Sequence, residues 1–186
     1  MKDIVYKTIN NYEEISTAYH EAGHVIYALL CFSKVEKVKV ISHNEAYVYY
    51  NVPEYWATNN KQKQLALIKK EISIRYAGVL SEKIFYENLH GNQNLPISIR
   101  IGSSIDFKDV SKLLNKYKIK TPGKERSKFK NKIKNKVQKE LKSNWNSIAL
   151  IANCLLKYKE LNYNKIKSLL SKVSKKWISI FKKIDS

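Results

Sequence analysis

TAYHEAGHVIYAL, residues 17–29, contains the pattern His-Glu-x-x-His within an apolar stretch of helical spacing. On a helix, His20 and His24 lie one turn apart on the same face, so both imidazoles can reach one tetrahedral Zn²⁺ ion. Glu21 then lies beside the open coordination position. Two histidines and a glutamate cost helix propensity and desolvation that a buried helix could avoid with leucine or alanine. The stretch therefore predicts a metal-binding helix.

A catalytic zinc site normally has three protein ligands and one exchangeable water, so this helix needs a third ligand from elsewhere in the chain. The remaining histidines and several carboxylates are chemically suitable. Spacing alone does not choose among the candidates, which are His43, His90, Glu82, Asp106 and Asp109.

The elements around this stretch are predicted from periodicity and turn signals. Asn11 and Glu14 have the spacing of a capping box, which predicts a helix at about 11–33. A segment rich in Val, Ile and Tyr predicts a β-hairpin at about 35–52. Further helices are predicted at about 61–88 and 105–118, and the loop between these two contains Gly91, Pro96 and Gly102. One long basic helix is predicted at about 126–160, and a last helical pattern follows the amphipathic stretch 166–184. We expect a mainly α fold with a small antiparallel hairpin or sheet next to the metal-binding helix.

The net charge of +19 is concentrated in the C-terminal half of the 186-residue chain. Residues 1–106 contain 12 basic and 11 acidic residues, whereas residues 107–186 contain 23 and 5. Clustered cations release counterions from phosphates, so this half could bind nucleic acid or an anionic membrane surface. Only three of the basic residues are arginines, however. Lysines on the solvated faces of amphipathic helices account for the same charge without a ligand.

The last 16 residues, 171–186, form a basic extension in which Trp177 and Phe181 recur at helical spacing among lysines. This pattern is typical of an amphipathic helix at a membrane interface, but also of a helix that docks on the core. The longest apolar runs are about nine residues, well short of the roughly 20 that a membrane-spanning helix needs. The N-terminal sequence MKDIVYKTIN lacks the features of a secretory signal. We therefore expect a cytoplasmic protein.

Several segments resemble, in order, the peptidase domain of the FtsH family of ATP-dependent zinc metalloproteases. They are the metal-binding helix at 17–29, the strand-rich segment 34–50, AGVLSEKIF at 77–85, GSSID at 102–106 and, more weakly, 137–161. The resemblance covers roughly residues 8–170. We therefore expect residues 1–170 to form one FtsH-like peptidase domain. The resemblance also implies that Asp106 is the third zinc ligand, because the aspartate in the family's segment that corresponds to residues 102–106 is a zinc ligand.

The resemblance implies a zinc-dependent metalloendopeptidase with one Zn²⁺ per chain, held by His20, His24 and Asp106. Glu21 would be the general base for the attacking water, and Glu82 is a candidate to orient a ligating histidine. No G-x-x-x-x-G-K-[ST] motif occurs in the sequence, so we expect a stand-alone copy without the ATPase module or membrane anchor.

The expected substrates are unfolded or flexible polypeptide segments, and the expected protein partners are further copies of the chain or a separate unfoldase. Two alternatives remain open at this point. One is a non-catalytic FtsH-like scaffold or regulator. The other is a basic protein that binds nucleic acid or an anionic surface and contains a structural zinc site.

Overall fold

The computed structural model describes residues 2–42, 45–51, 59–91, 97–116 and 123–186, and within three of its helices it describes side chains only at 12–30, 106–115 and 125–143. The described residues form seven helices and three short strands. In chain order these are α1 (Lys2–Leu30), β1 (Val35–Ser42), β2 (Glu45–Tyr50), α2 (Lys61–His90), α3 (Ile97–Lys116), α4 (Gly123–Ser143), α5 (Trp145–Tyr158), β3 (Glu160–Asn162), α6 (Tyr163–Ser171) and α7 (Lys175–Asp185). The mainly α fold with a small sheet is confirmed.

The two longest helices, α1 and α2, pack against each other at the centre of the core. Small residues allow their backbones to approach: a Cβ atom added to Gly23 would lie 2.5 Å from the carbonyl oxygen of Ala77. The buried faces on either side of this contact are apolar, with Ala22, Val25, Ile26 and Leu29 on α1 and Ile72, Tyr76 and Leu80 on α2.

Asn60 caps α2, because its side-chain oxygen accepts hydrogen bonds from the backbone amides of Gln62 and Lys63.

A three-stranded antiparallel sheet of order β2-β1-β3 lies beside α1. The predicted hairpin forms β1 and β2, whereas the third strand was not predicted. It follows α5 through Lys159, whose left-handed backbone (φ 62°) ends that helix. Val38 pairs with Val48 on one side and with Leu161 on the other. All three apolar side chains therefore lie on the face that packs toward the helices.

The prediction of one helix over 126–160 is wrong, because the chain breaks at Asn144 into α4 and α5. The side-chain amide of Asn144 donates a hydrogen bond to the carbonyl oxygen of Glu140 at 2.7 Å, so it satisfies a terminal carbonyl of α4. Trp145, the first residue of α5, lies against Tyr19 of α1, with stacked rings 5.3 Å apart. Apolar periodicity runs through this break unchanged and therefore does not reveal it.

Two other predicted helix starts differ from the structure. The first helix begins at Lys2 rather than near Asn11, since no proline or glycine interrupts the residues between them. The third begins at Ile97, directly after Pro96, and it includes Gly102, which the turn signals in the sequence assign to the preceding loop. A single glycine weakens a helix but does not end it, whereas proline is well suited to a position just before or at a helix start.

The C-terminal extension docks on the core. Trp177 and Phe181 of α7 are each 1% exposed, and the indole Nε1 of Trp177 donates a hydrogen bond to Ser147 Oγ on α5 at 3.0 Å. The apolar face of α7 is therefore covered by the protein itself, which favours the second interpretation of its sequence. Among the described residues, no helix is long and apolar enough to cross a membrane.

Truncation of Trp177 tests this docking. We expect Trp177→Ala to lower the free energy of unfolding by about 3–5 kcal/mol, because it removes a buried aromatic ring and leaves Ser147 without its donor. Ile178→Ala is the matched control, because Ile178 is next to Trp177 in the sequence but is 42% exposed. This substitution should change the free energy of unfolding by about 0.5 kcal/mol or less. Denaturant unfolding followed by circular dichroism measures both, and equal effects would contradict the docked helix.

Candidate metal and catalytic site

Two helices bring three potential ligands together. His20 and His24 project from the middle of α1, with their Nε2 atoms 3.0 Å apart. Asp106 comes from α3, and its Oδ2 atom lies 3.1 Å from His20 Nε2 and 3.5 Å from His24 Nε2. The three side chains offer ligand atoms that all lie within 4.8 Å of one another. Among the candidates for a third ligand that lie in the described residues, Asp106 is the one that meets both histidines.

The other nitrogen of each imidazole already has a partner. His24 Nδ1 lies 2.8 Å from the carbonyl oxygen of Ile74, and His20 Nδ1 lies 3.1 Å from Glu82 Oε2. A carbonyl and a carboxylate accept hydrogen bonds, so both rings donate from Nδ1 and can present the lone pair of Nε2 to the shared space. This arrangement is typical of metal-ligating histidines, whose second nitrogen is held by an outer acceptor.

The shared space fits a cation. Asp106 Oδ2 is buried and, among the described residues, has no hydrogen-bond partner of suitable geometry. A buried carboxylate oxygen without a donor is costly unless a cation compensates it. Two imidazole nitrogens and one carboxylate oxygen form the type of donor set that binds Zn²⁺ in hydrolytic enzymes. The residues present therefore fit the metal that the sequence predicts.

Gly78 on α2 forms the wall of this space. A Cβ atom at this position would lie 2.4 Å from His24 Nε2 and 2.6 Å from His20 Nε2. These are the two nitrogen atoms that face Asp106, so any larger side chain would collide with the ligand atoms. The absence of a side chain on α2 thus leaves the imidazoles room to converge.

The electrostatics of the site favour a positive occupant. Burial disfavours the charged form of Asp106, but the adjacent histidines outweigh it and hold the pKa of its carboxyl well below the usual range. Burial likewise opposes a charged His20, yet contacts with Asp106 and Glu82 raise its pKa well above the usual value. The carboxylates thus stabilise positive charge here. A proton on the ring or a metal ion can supply it, and the two compete.

Glu21, the second residue of the motif, is 7% exposed. Burial raises the pKa of its carboxyl, and the neighbouring histidines partly offset this effect. Glu82 is also buried and approaches His20 as described above, while Ser16 Oγ donates a hydrogen bond to its other oxygen. Sequence reasoning pointed to Glu82 but missed Ser16. The available signal was the position of Ser16, one turn before His20 on the same helix.

The other candidate ligands lie elsewhere. His90 is exposed at the end of α2, beside the rings of Tyr12 and Tyr86. Asp109 is on α3, one turn beyond Asp106, and faces Arg75 rather than the histidines. His43 lies outside the described residues.

Sequence reasoning did not single out Arg75, Gly78 or the carbonyl oxygen of Ile74, which all belong to α2. A glycine inside a strong helical pattern was the one available signal, because such a glycine usually has a packing reason.

The model of Peptidase family M41 matches residues 7–123, which include most of α1 and all of β1, β2, α2 and α3. The chain belongs to peptidase family M41. The match therefore contains every residue of the site described above, whereas nearly all of α4 and everything after it lie beyond the matched range. As a member of this family, the chain contains the domain type of a metallopeptidase.

A similar curated protein is the ATP-dependent zinc metalloprotease FtsH of Haemophilus influenzae. The two are 38% identical over 96 residues, which is 50% of this M41 chain and 13% of the relative. The chain therefore corresponds to only a small part of that protein.

Substitution of Gly78 tests the packing of the site. We expect Gly78→Ala to remain helical, because alanine is the better helix former by roughly 1 kcal/mol, but to lose stoichiometric zinc because the new methyl group displaces the imidazoles. Zinc content by elemental analysis and helicity by circular dichroism provide the two measurements.

Gly23→Ala is a matched comparison, since its methyl group would meet the α2 backbone rather than the ligand atoms. It should lower the unfolding midpoint. Full zinc binding by Gly78→Ala would show that the imidazoles are not confined by α2.

Proposed function

We propose that this chain is a zinc-dependent metalloendopeptidase that hydrolyses peptide bonds in unfolded or flexible polypeptide segments. The observation that carries the proposal is the convergence of His20, His24 and Asp106 around a buried space next to Glu21. Membership of peptidase family M41 supports the same reaction class. Structural zinc sites normally have four protein ligands, whereas three protein ligands, the number found together among the described residues, are typical of catalytic sites.

In this proposal the two histidines and Asp106 hold one zinc ion through their Nε2 and Oδ2 atoms. Zinc would supply a Lewis acid for the scissile carbonyl and lower the pKa of a bound water toward about 7. Glu82 keeps the His20 ring in its orientation from the opposite side, at Nδ1. The backbone carbonyl of Ile74 does the same for His24.

Glu21 is the proposed general base. It follows the first ligand directly in sequence, so its carboxylate belongs to the same turn of α1. It would accept a proton from the attacking water and deliver it to the leaving amine as the peptide bond breaks. Its burial raises the pKa of the carboxyl, which shifts it toward the range suited to a general base.

Strand β2 is the proposed site for the substrate backbone. It is an edge strand of the described sheet, with β1 as its neighbour. An extended peptide can add to such an edge through main-chain hydrogen bonds, which recognise few side chains. This mode requires a locally unfolded substrate. Folded proteins would need a separate unfoldase to present such a segment.

Zinc content and cleavage of an unfolded protein, measured on the same preparations, test the proposal. The wild type should contain about one zinc per chain and cleave the substrate. Asp106→Ala should lose zinc and activity, whereas Glu21→Gln should keep zinc and lose roughly 10²–10⁴-fold in kcat.

The control for Glu21→Gln is Glu14→Gln, which changes a partly exposed acid of the same helix whose described partner is Lys159. It should retain zinc and activity. Zinc bound without cleavage in any form would instead favour the scaffold alternative, and a wild type that takes up no zinc after reconstitution would reject the metal site.

The role of Glu82 gives a separate expectation. Glu82→Gln should weaken zinc binding by about 10–100-fold, because the amide holds the His20 ring less firmly than the carboxylate does. Competition with a chromophoric chelator measures the affinity. Glu87→Gln changes another acid of α2, paired with Lys83 on the helix surface, and should leave the affinity within about twofold.

A further inference from the structure

A chain of polar contacts reaches the site from the side opposite to the histidines. Tyr50 of β2 donates a hydrogen bond from its hydroxyl to Glu71 Oε1 at 2.9 Å, and Arg75 Nε donates to the same oxygen at 3.1 Å. Arg75 Nη1 then lies 3.5 Å from Asp109 Oδ2 and 4.0 Å from Asp106 Oδ1. These contacts connect β2 to α2 and α2 to α3.

We propose that Arg75 is a positioning residue that holds Asp106 in the orientation required of a metal ligand, and that Glu71 fixes the guanidinium for this role. The inference rests on the proposed function, because it concerns the ligand set of the same zinc site. It assigns a role to two residues that lie outside the His-Glu-x-x-His motif.

The two carboxylate oxygens of Asp106 face different partners. Oδ2 faces the Nε2 atoms of His20 and His24, and Oδ1 faces the Arg75 guanidinium. Rotation of the carboxylate would move Oδ1 away from the cation and toward the histidines. The guanidinium, a planar group of fixed charge, therefore favours the orientation in which a single oxygen is presented to the metal.

Arg75 is itself held at both ends. Its Nε is bound to Glu71, which precedes it by one turn of α2, and its Nη1 faces two acids of α3. The side chain is 34% exposed, whereas that of Glu71 is 3% exposed. Without this anchor the long arginine side chain would have more rotamer freedom, and orienting it toward Asp106 would cost more conformational entropy. A fixed guanidinium defines the position of Asp106, while a mobile one would not.

The burial of Glu71 is unfavourable for the stability of the protein. Its Oε2 atom is buried and has no hydrogen-bond partner among the described residues. A buried acid with one unsatisfied oxygen costs stability, and a glutamine or an apolar residue would avoid its charge. Its contacts with Arg75 and Tyr50 are therefore the physical reason for a glutamate here.

The placement of α3 makes such an anchor necessary. Asp106 is the ligand that α1 does not provide, and among the described elements α3 packs chiefly on α2. The apolar contacts of Val110 and Leu114 hold this helix farther along its length. At the level of Asp106 itself, Arg75 is the described cation that ties α3 to α2. A small shift of α3 would otherwise change the distance from Asp106 to the histidines.

The test is zinc affinity by chelator competition on the full chain, together with the visible absorption spectrum of the Co²⁺-substituted protein, which reports ligand geometry. Arg75→Ala should weaken zinc binding by about 10–100-fold and change the cobalt spectrum. Arg75→Lys should restore part of the affinity, because it returns the charge but not the planar fork. Glu71→Gln should weaken binding, and the double variant Glu71→Gln with Arg75→Ala should be no weaker than Arg75→Ala alone.

Arg126→Ala is the matched control. This arginine of α4 also binds α3, at the carbonyl oxygen of Ser111 and at Asn115 Oδ1, away from Asp106. Its removal should leave zinc affinity within about twofold and the cobalt spectrum unchanged. Equal loss in both arginine variants would show that general attachment of α3, rather than orientation of Asp106, is what Arg75 provides.

The outcomes distinguish this inference from the proposed function. If the wild type binds zinc and cleaves substrate while Arg75→Ala keeps the same zinc affinity and cobalt spectrum, the positioning role is wrong and the peptidase proposal stands. If the wild type binds no zinc, the proposed function fails and the inference fails with it. An Arg75→Ala variant that loses folded structure by circular dichroism is replaced in the comparison by Arg75→Lys and Glu71→Gln, whose affinities must then fall.

Discussion

The close approach of α1 and α2 is the constraint on which the rest of the structure depends. It requires glycine on both helices: Gly23 allows α2 to approach the backbone of α1, and Gly78 leaves room for the two imidazoles. Each glycine costs up to about 1 kcal/mol of helix propensity relative to alanine. The contact places the motif of α1 against α2, which in turn contacts the third ligand's helix. Stability of the core and geometry of the site thus depend on the same few atoms.

The site combines buried acids with few buried cations. Glu21, Glu71, Glu82 and Asp106 are all less than 10% exposed, and they lie around two histidines and one arginine. Such a cluster is stable only if positive charge enters it. A divalent metal would supply two charges beside Asp106 Oδ2, which has no hydrogen-bond partner of suitable geometry among the described residues. Metal binding and folding would then be coupled, because the ion would bind the folded state and relieve the repulsion among these acids.

The helices after α3 lie almost wholly outside the family match but complete the core. Val137 and Leu141 of α4, and Ile148 and Leu155 of α5, are buried against the two central helices. Lysines occupy the outer faces, as Lys136 illustrates with a side chain that is 72% exposed. This arrangement explains why the outer faces are polar, whereas the excess of lysine over acidic residues is a property of the sequence. The C-terminal half consists of amphipathic helices with one apolar and one solvated face.

The sequence by itself determined the helical class, the hairpin and the helix that contains the His-Glu-x-x-His motif, because these depend on spacing within short segments. His20, Glu21 and His24 are recognisable for the same reason, since one turn of helix fixes their relation. The third ligand was different: residue spacing left five candidates, and only resemblance to a family singled out Asp106. Its partners lie 82 and 86 residues away in the chain, and no local pattern encodes a contact between two helices.

Tertiary structure alone decided the break at Asn144, the third strand, the role of Gly78 and the Arg75 contacts. Each depends on what faces a residue across the core rather than along the chain. An apolar stripe continues through Asn144 because α4 and α5 each bury one face against the central helices, although one helix ends at Ser143 and the next begins at Trp145. Periodicity in the sequence indicates which face of a helix or strand is buried. Only the packing of the elements in the tertiary structure shows which other element covers that face.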